Sequence, residues 1–397
     1  MTSIRRCAAL VFVVVLIAVN VPVTDAQRGG QRFRRVPPLP FPAAPMVMDT
    51  LEGPIRAVPF VRGLDNPWSL TWLPTGEMLV TEKPGRLRIV RDGQLVAEPI
   101  GGTPEVLSRG QGGLMEVALH PDFAANRLIY FTYSKAGEQG NTTALARGRL
   151  TGMAVEGLED VFVADAWSAR STIHFGSKIA FGLDGKLYMT VGERGEGDPA
   201  QALDNHKGKI LRLNDDGTVP EDNPFVGRAD AKPEIYSYGH RNMQGLAFHP
   251  VTGALWSTEH GPQGGDELNL ILPGRNYGWP VATHGREYSG AIITRQPYVE
   301  GMEPPVVALV PSLGLSGLTI FQGDAVPGWN GNFFLGGLPG LQIQRVGFTD
   351  EFLLIGMEEI ARDLRLRIRD LRQGPDGLLY AVSDGPDAGI LRFEPAN

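Results

Sequence analysis

The chain of 397 residues contains one cysteine, Cys7, and it lies among the first 26 residues. Downstream of it there is no thiol for a disulfide, a nucleophile or a metal site. Excess positive charge is also missing. The whole chain carries −7; residues 1–26 carry +1 and residues 27–46 carry +4, which leaves −12 on residues 47–397. A surface of that sign argues against nucleic acid or an anionic membrane as partner. From residue 56 onward no long stretch has helical apolar spacing. There is no Gly-x-Gly-x-x-Gly at a strand–helix junction, no Walker lysine and no Gly-x-Ser-x-Gly elbow.

What is present begins with a targeting signature. Arg5-Arg6 precede the apolar run Cys7 to Val23, and Thr24-Asp25-Ala26 offers a small residue before Gln27. Residues 1–26 read as a cleavable signal peptide, hence a periplasmic or secreted protein. A membrane anchor is the alternative, although the run is short for a span. Residues 27–46 hold four Arg, no acid and several Pro, and read as a linker. Residues 47–397 form the remaining domain, with no membrane span.

That domain repeats itself. Short apolar or alternating runs are bounded by Gly, Pro, Asn and Asp, the pattern of strands and tight turns. Six imperfect units start at Asn66, Gly113, Ser177, Gln244, Ser316 and Arg369. A single small antiparallel sheet cannot bury both faces, so repetition at this period predicts radial stacking. The fold class is all-β, a six-bladed β-propeller of four-stranded antiparallel blades. Two stacked sandwiches are the alternative. The strand IRAVPFV at 55–61 precedes the first unit and is expected to complete the last blade and close the ring. The loops Gly197 to Lys207 and Thr283 to Pro305 are long, and long loops on a rigid scaffold carry function or assembly contacts.

Polar residues gather where units open. His120 and His249 each precede Pro in equivalent turns and read as structural. His174, in Thr-Ile-His-Phe-Gly-Ser-Lys before unit three, is a candidate base, since imidazole titrates near neutrality. Arg241-Asn242 opens unit four. Arg367 and Arg369 open unit six, two residues apart, which on a strand is one face. Guanidiniums so placed suit a multiply anionic ligand; ties to Asp363 and Asp370 are the competing use. Gln111 opens unit two in the same register. The turn from Glu259 to Glu267 is rich in glycine, carbonyls and carboxylates, which suits calcium better than zinc, though an ordinary acidic turn has the same composition.

Six motifs carry a resemblance to a known family: GQGGLMEVALHPDF, GSKIAFGLDGKLYMTVGERG, YSYGHRNMQGLAFHP, EHGPQGGDELN, NYGWP and RIRDLRQGPDGLLY. Residues 55 to 394 resemble the soluble PQQ-dependent sugar dehydrogenases, the aldose sugar dehydrogenases and, more distantly, quinoprotein glucose dehydrogenase. The resemblance implies a six-bladed propeller with PQQ over its channel. It implies oxidation of the anomeric hydroxyl of an aldose sugar to a lactone, with hydride passing to the quinone and His174 as general base. Arg241 would polarise the quinone oxygens. Asn242 and Gln111 would contact quinone or substrate, and Arg367 and Arg369 would hold PQQ carboxylates. The carbonyls of Gly261 and Pro262 would bind the Ca2+ that PQQ also ligates. Glu267 and the Tyr277 carbonyl would form a second, structural calcium site. Gln201 and Ser312 match pocket positions, and His260 stands at the substrate mouth. No covalent haem motif is present, so electrons would leave to an external acceptor, from a monomer or homodimer. One departure stands out: Pro339 occupies the place of a lysine that contacts PQQ in many members. A calcium-stabilised propeller that has lost PQQ and binds glycan or protein is therefore the alternative, and a calcium-dependent lactonase is a third reading.

Overall fold

A computed structural model describes residues 37–396, so the signal segment 1–26 lies outside the described residues. The six units fold into six sheets. In every blade the innermost strand is the first of its unit: Pro67–Trp72, Leu114–Leu119, Ile179–Phe181, Met243–Phe248, Leu315–Ile320 and Ile368–Gln373. We number the blades one to six in that order. Blades one to five each take four consecutive antiparallel strands. Blade six takes three from the end of the chain and its fourth, Gly53–Leu64, from the beginning. That strand pairs with Ala388–Pro395, so the ring closes as the sequence predicts. Met46–Thr50 adds a fifth, outermost strand to the same blade. Residues before it also lie on blade six: Leu39 N donates to Arg365 O at 3.1 Å, and the Phe41 ring packs against the core between blades five and six.

Packing follows from the strand patterns. The second strand of each blade is buried on both faces, as in Met78–Glu82 and Leu187–Val191, because neighbouring blades cover both sides. Six large apolar clusters result, one at each junction between blades. The junction of blades four and five buries Trp256 and Phe333 completely, with ring centroids 4.8 Å apart. Burying one such ring contributes roughly 1.5–3 kcal/mol. Threonine adds a polar staple at four junctions. Thr81, Thr132, Thr190 and Thr258, all on second strands, donate their hydroxyls to the carbonyls of Met115, Ser177, Met243 and Ser316 on the next inner strand. Ser316 continues the series to Ile368 at 2.6 Å. At the junction of blades five and six the backbones come close. A Cβ at Gly317 would stand 2.5 Å from Asp370 Oδ1, so only glycine fits there.

The inner strands are not regular. In five blades the pairing of first and second strands slips near its start, at Trp68, Met115-Glu116, Gln244, Ser316-Gly317 and Arg369. A bulge turns the extra residue out of the sheet's alternation. Several of these residues meet near the channel. Arg369 donates to Gln244 Oε1 at 3.0 Å, and its guanidinium lies 5.7 Å from the Trp68 ring centroid. Among the described residues no helix is long and apolar enough to cross a membrane.

Candidate active site

His174 sits in an irregular segment just before the inner strand of blade three, with φ at +53°. A side chain in that left-handed region costs about 1–3 kcal/mol and persists only where neighbours over-determine it. Here they do. His174 N donates to Gln111 Oε1 at 2.8 Å. Arg194 donates to the carbonyls of Ile173 and Ser171 at 2.9 and 3.1 Å and to Asn141, while its guanidinium stacks 3.6 Å from the Phe175 ring centroid. Arg194 has no carboxylate partner among the described residues, and burial lowers its pKa to about 10. Its work is to fix the backbone that presents His174.

His174 Nδ1 meets Glu193 Oε1 in a short contact, and Glu193 Oε2 accepts from Gly197 N. Both side chains are buried. Burial pushes the His174 pKa below its ordinary value; Glu193 offsets part of this, and the nearby Arg241 charge adds to it. Burial pushes the Glu193 carboxyl the other way, but the hydrogen bond from His174 helps hold it below its ordinary value. The pair therefore stands as a neutral imidazole on a carboxylate. Glu193 fixes the proton on Nδ1 and leaves Nε2 to accept one. Sequence reasoning passed over Glu193. The signal was the Glu-Arg pair in YMTVGERG, at the end of the strand beside His174.

Blade four supplies the next wall. Arg241 N donates to Glu259 Oε1 at 2.8 Å, and Arg241 Nη1 to the carbonyls of His260 and Gly261 at 2.9 and 3.1 Å. Behind it, His240 Nδ1 lies 2.9 Å from Glu259 Oε2, close enough for an ion pair. Burial opposes charge on both partners: it lowers His240 to about 3 and raises Glu259. We take the pair as a neutral hydrogen bond. Asn242 Oδ1 accepts from Gly176 N at 3.1 Å, which ties blade four to the His174 segment.

Blade six supplies the cations. Arg367 Nε and Nη2 each reach Asp384 Oδ2 at 2.8 Å, and Arg369 Nη2 lies 3.6 Å from Asp384 Oδ1. The tie is thus to Asp384 rather than to Asp363 or Asp370. Arg367 precedes the strand and Arg369 is bulged, so the two converge by irregularity and not by strand alternation. His260 belongs to the same neighbourhood. Burial, then the charges of Arg369 and Arg241, keep its imidazole neutral.

The glycine-rich turn is tight. A Cβ at Gly261 would stand 2.3 Å from the Gly264 carbonyl oxygen. Gly261 N donates to Asp266 Oδ1 at 2.8 Å. Ser312 spends its hydroxyl on the same oxygen at 2.7 Å, and Leu313 and Leu315 amides occupy Asp266 Oδ2. Ser312 thus braces the turn. Gln201 is likewise committed, to Asn276 and to the Trp279 carbonyl at 2.7 Å. Glu267 is paired across the strands with Glu259, and burial first, then the Glu259 charge, push its carboxyl well up. Tyr277 is buried, its ring stacked on His240 with centroids 4.5 Å apart. Among the described residues no three His, Cys, Asp or Glu side chains converge to hold a metal, so a cation here would need backbone oxygens among its ligands.

Several donors in this region lack acceptors. Arg241 Nε, Asn242 Nδ2 and Arg369 Nε are buried without hydrogen-bond partners. An unsatisfied buried donor costs about 1–3 kcal/mol, more for a charged one. Three of them around one channel mouth form a receptor for an acceptor-rich, anionic ligand.

An imidazole held on a carboxylate beside a cluster of unpaired donors is the arrangement of a ligand-binding site. Residues 64–392 match the family described as Glucose / Sorbosone dehydrogenase, and the chain belongs to that family. It is 40% identical over 340 residues to aldose sugar dehydrogenase YliI of Escherichia coli K12, covering 84% of this chain and 91% of that one. Among solved structures it is similar to a glucose dehydrogenase, with a TM-score of 0.83 and 41% identity over 86% of this chain and 99% of that chain. It is also similar to the PQQ-bound aldose sugar dehydrogenase of Streptomyces coelicolor, with a TM-score of 0.70 and 28% identity over 90% and 99% of the two chains.

Proposed function

We propose that this protein is a PQQ- and Ca2+-dependent dehydrogenase that oxidises the anomeric hydroxyl of aldose sugars to lactones. The observation that carries the reading is the set of orphaned donors, Arg241 Nε, Asn242 Nδ2 and Arg369 Nε, around the channel mouth beside His174. They fit a planar quinone with carbonyl oxygens and carboxylates. Unpaired guanidinium nitrogens also occur elsewhere, as at Arg194, so it is their gathering beside His174 that favours the PQQ reading over the binding-protein alternative.

PQQ, when bound, would supply a two-electron oxidant. His174 Nε2 takes the proton of the sugar hydroxyl, and Glu193 stabilises the imidazolium so formed. Gln111 holds His174 in place through its backbone amide. Arg241 and Asn242 would direct donors at quinone oxygens, where negative charge develops. Arg367 and Arg369 would hold cofactor carboxylates. The carbonyls of Gly261 and Pro262 would hold calcium beside the cofactor, and Glu267 with the Tyr277 carbonyl a second ion. A cation there would relieve the burial of the Glu267 carboxyl. Reoxidation needs an external electron acceptor. A cleaved signal peptide would deliver the enzyme to the periplasm or outside the cell, where a chain without cysteine after residue 26 has no thiol to oxidise.

Reconstitution tests the reading. Purified protein loaded with PQQ and Ca2+ should reduce a redox dye with one or more aldoses, and chelation of calcium should abolish this. No dye reduction and no bound PQQ spectrum at saturating cofactor would sink the proposal.

A further inference from the structure

Blade five offers no cation at Pro339, whose ring packs against Gly314. The missing charge has a candidate replacement on the other flank of blade six. Lys83 opens the turn after the second strand of blade one, directly behind Glu82. Its amide donates to Asn66 O at 3.0 Å, and Asn66 N donates to Gly385 O at 2.9 Å, next to Asp384. Asp384 N in turn donates to Arg367 O at 2.8 Å. On its other side, Lys83 O accepts from Leu114 N at 3.1 Å, and Lys83 Nζ donates to Gly110 O at 3.0 Å, beside Gln111. The residue is thereby fixed between the opening of blade two and the two arginines of blade six.

The charges here do not balance. Arg367, Arg369 and Lys83 share one neighbouring carboxylate, Asp384, whose two oxygens face the arginines. Lys83 keeps a single hydrogen bond, to a neutral carbonyl, and an ammonium has three donors. Burial, then the Arg369 charge, lower the Lys83 pKa, with Asp384 opposing and Arg367 adding. Lys83 is half-buried with its ammonium open to solvent, and with two guanidiniums and one carboxylate as charged neighbours it is placed to meet an incoming anion.

We propose that Lys83 is the third cationic donor of the carboxylate clamp, doing from blade one what a lysine at position 339 would do from blade five. The inference rests on the PQQ reading above and specifies how this chain completes that site.

The test is PQQ affinity, read from quenching of tryptophan fluorescence in the apoprotein with Ca2+ present. Lys83→Gln should weaken PQQ binding about tenfold, the scale of one partly exposed charge-assisted hydrogen bond. Lys83→Arg should stay near the unmodified protein. The PQQ trimethyl ester, which lacks the carboxylate charges, should bind all three proteins alike. Pro339→Lys placed in the Lys83→Gln background should recover part of the loss. An unchanged affinity in Lys83→Gln overturns the inference. So does an equal loss for PQQ and its ester, which would mark Lys83 as a brace of the Gly110 loop only. Pro339→Lys alone gives a check that does not depend on how Lys83→Gln folds. With Lys83 already serving, it should change affinity by less than about threefold, and a tenfold gain overturns the proposal. If the unmodified protein fails to bind PQQ, the proposed function falls and this inference with it; intact PQQ binding that ignores Lys83 overturns the inference alone.

Discussion

Two groups of charged side chains meet a few residues apart at the inner strand of blade six, and they are built on opposite plans. In the first, Lys178 Nζ reaches Asp370 Oδ1 at 2.7 Å and Glu116 Oε2 at 2.8 Å, the latter at ion-pair distance without hydrogen-bond alignment. Arg372 meets the remaining oxygens of Asp370 and Glu116, and Ser69 Oγ adds a bond to Glu116 at 3.0 Å. Two acids and two bases from blades two, three and six neutralise one another. In the second, Arg241, Arg367, Arg369 and Lys83 outnumber Asp384, and guanidinium nitrogens are left without acceptors. A closed network stabilises the ring and needs no ligand. An open one costs stability and is explained by what it binds.

The sharpest way to break that contrast is at the base. His174→Ala should lower turnover of the reconstituted enzyme about 10²–10⁴-fold, the range of a general base. PQQ affinity should change little, because the receptor donors lie on blades four, six and one. The check is kcat by dye reduction beside Kd by fluorescence quenching. A variant that keeps turnover would remove His174 from the chemistry.

The closed network should answer to stability instead. Lys178→Met leaves Glu116 and Asp370 to share Arg372, and breaking a buried pair costs roughly 3–5 kcal/mol. Urea unfolding should show that loss, with Kd for PQQ near the original. Arg369→Ala is the converse: weaker PQQ binding and little loss in urea, since the receptor is unsatisfied in the free protein. Equal behaviour of the two variants in both assays would erase the distinction between the groups.

Much of this was legible beforehand, and particular residues show why. The six units, the ring closure by residues 55–61 and the gathering of polar groups at unit openings follow from periodicity and turn residues. Local sequence carries those. The threonine staples were also visible, in LVT, YFT, YMT and WST at equivalent places, but they acquire meaning only when the next blade is in position. Glu193, Asp384 and Lys83 were missed for a related reason. Each lies at the far end of a hairpin, and its partner is set by strand pairing and bulges that alternation does not encode. Ser312 and Gln201 were read as pocket contacts from their motif positions, and their hydrogen bonds here go to the scaffold.

The smallest effect is in the pH profile, and it probes how the open group acts on its neighbour. His174 must be neutral to take a proton, so activity falls as the imidazole protonates. Burial lowers its pKa first, Glu193 opposes, and the charges of Arg241 and Arg194 lower it further. The net shift is downward from the ordinary 6.5, so the acidic limb of kcat/KM should lie below pH 6.5, with rate retained where a solvated histidine would already be half protonated. Glu193→Gln removes the one influence that raises the value. It should move the limb to still lower pH while reducing the rate, since a glutamine holds Nδ1–H less firmly. A limb at or above pH 6.5 in the unmodified enzyme would mean that Glu193 outweighs burial and the uncompensated arginines, and that the receptor exerts no net field on its base.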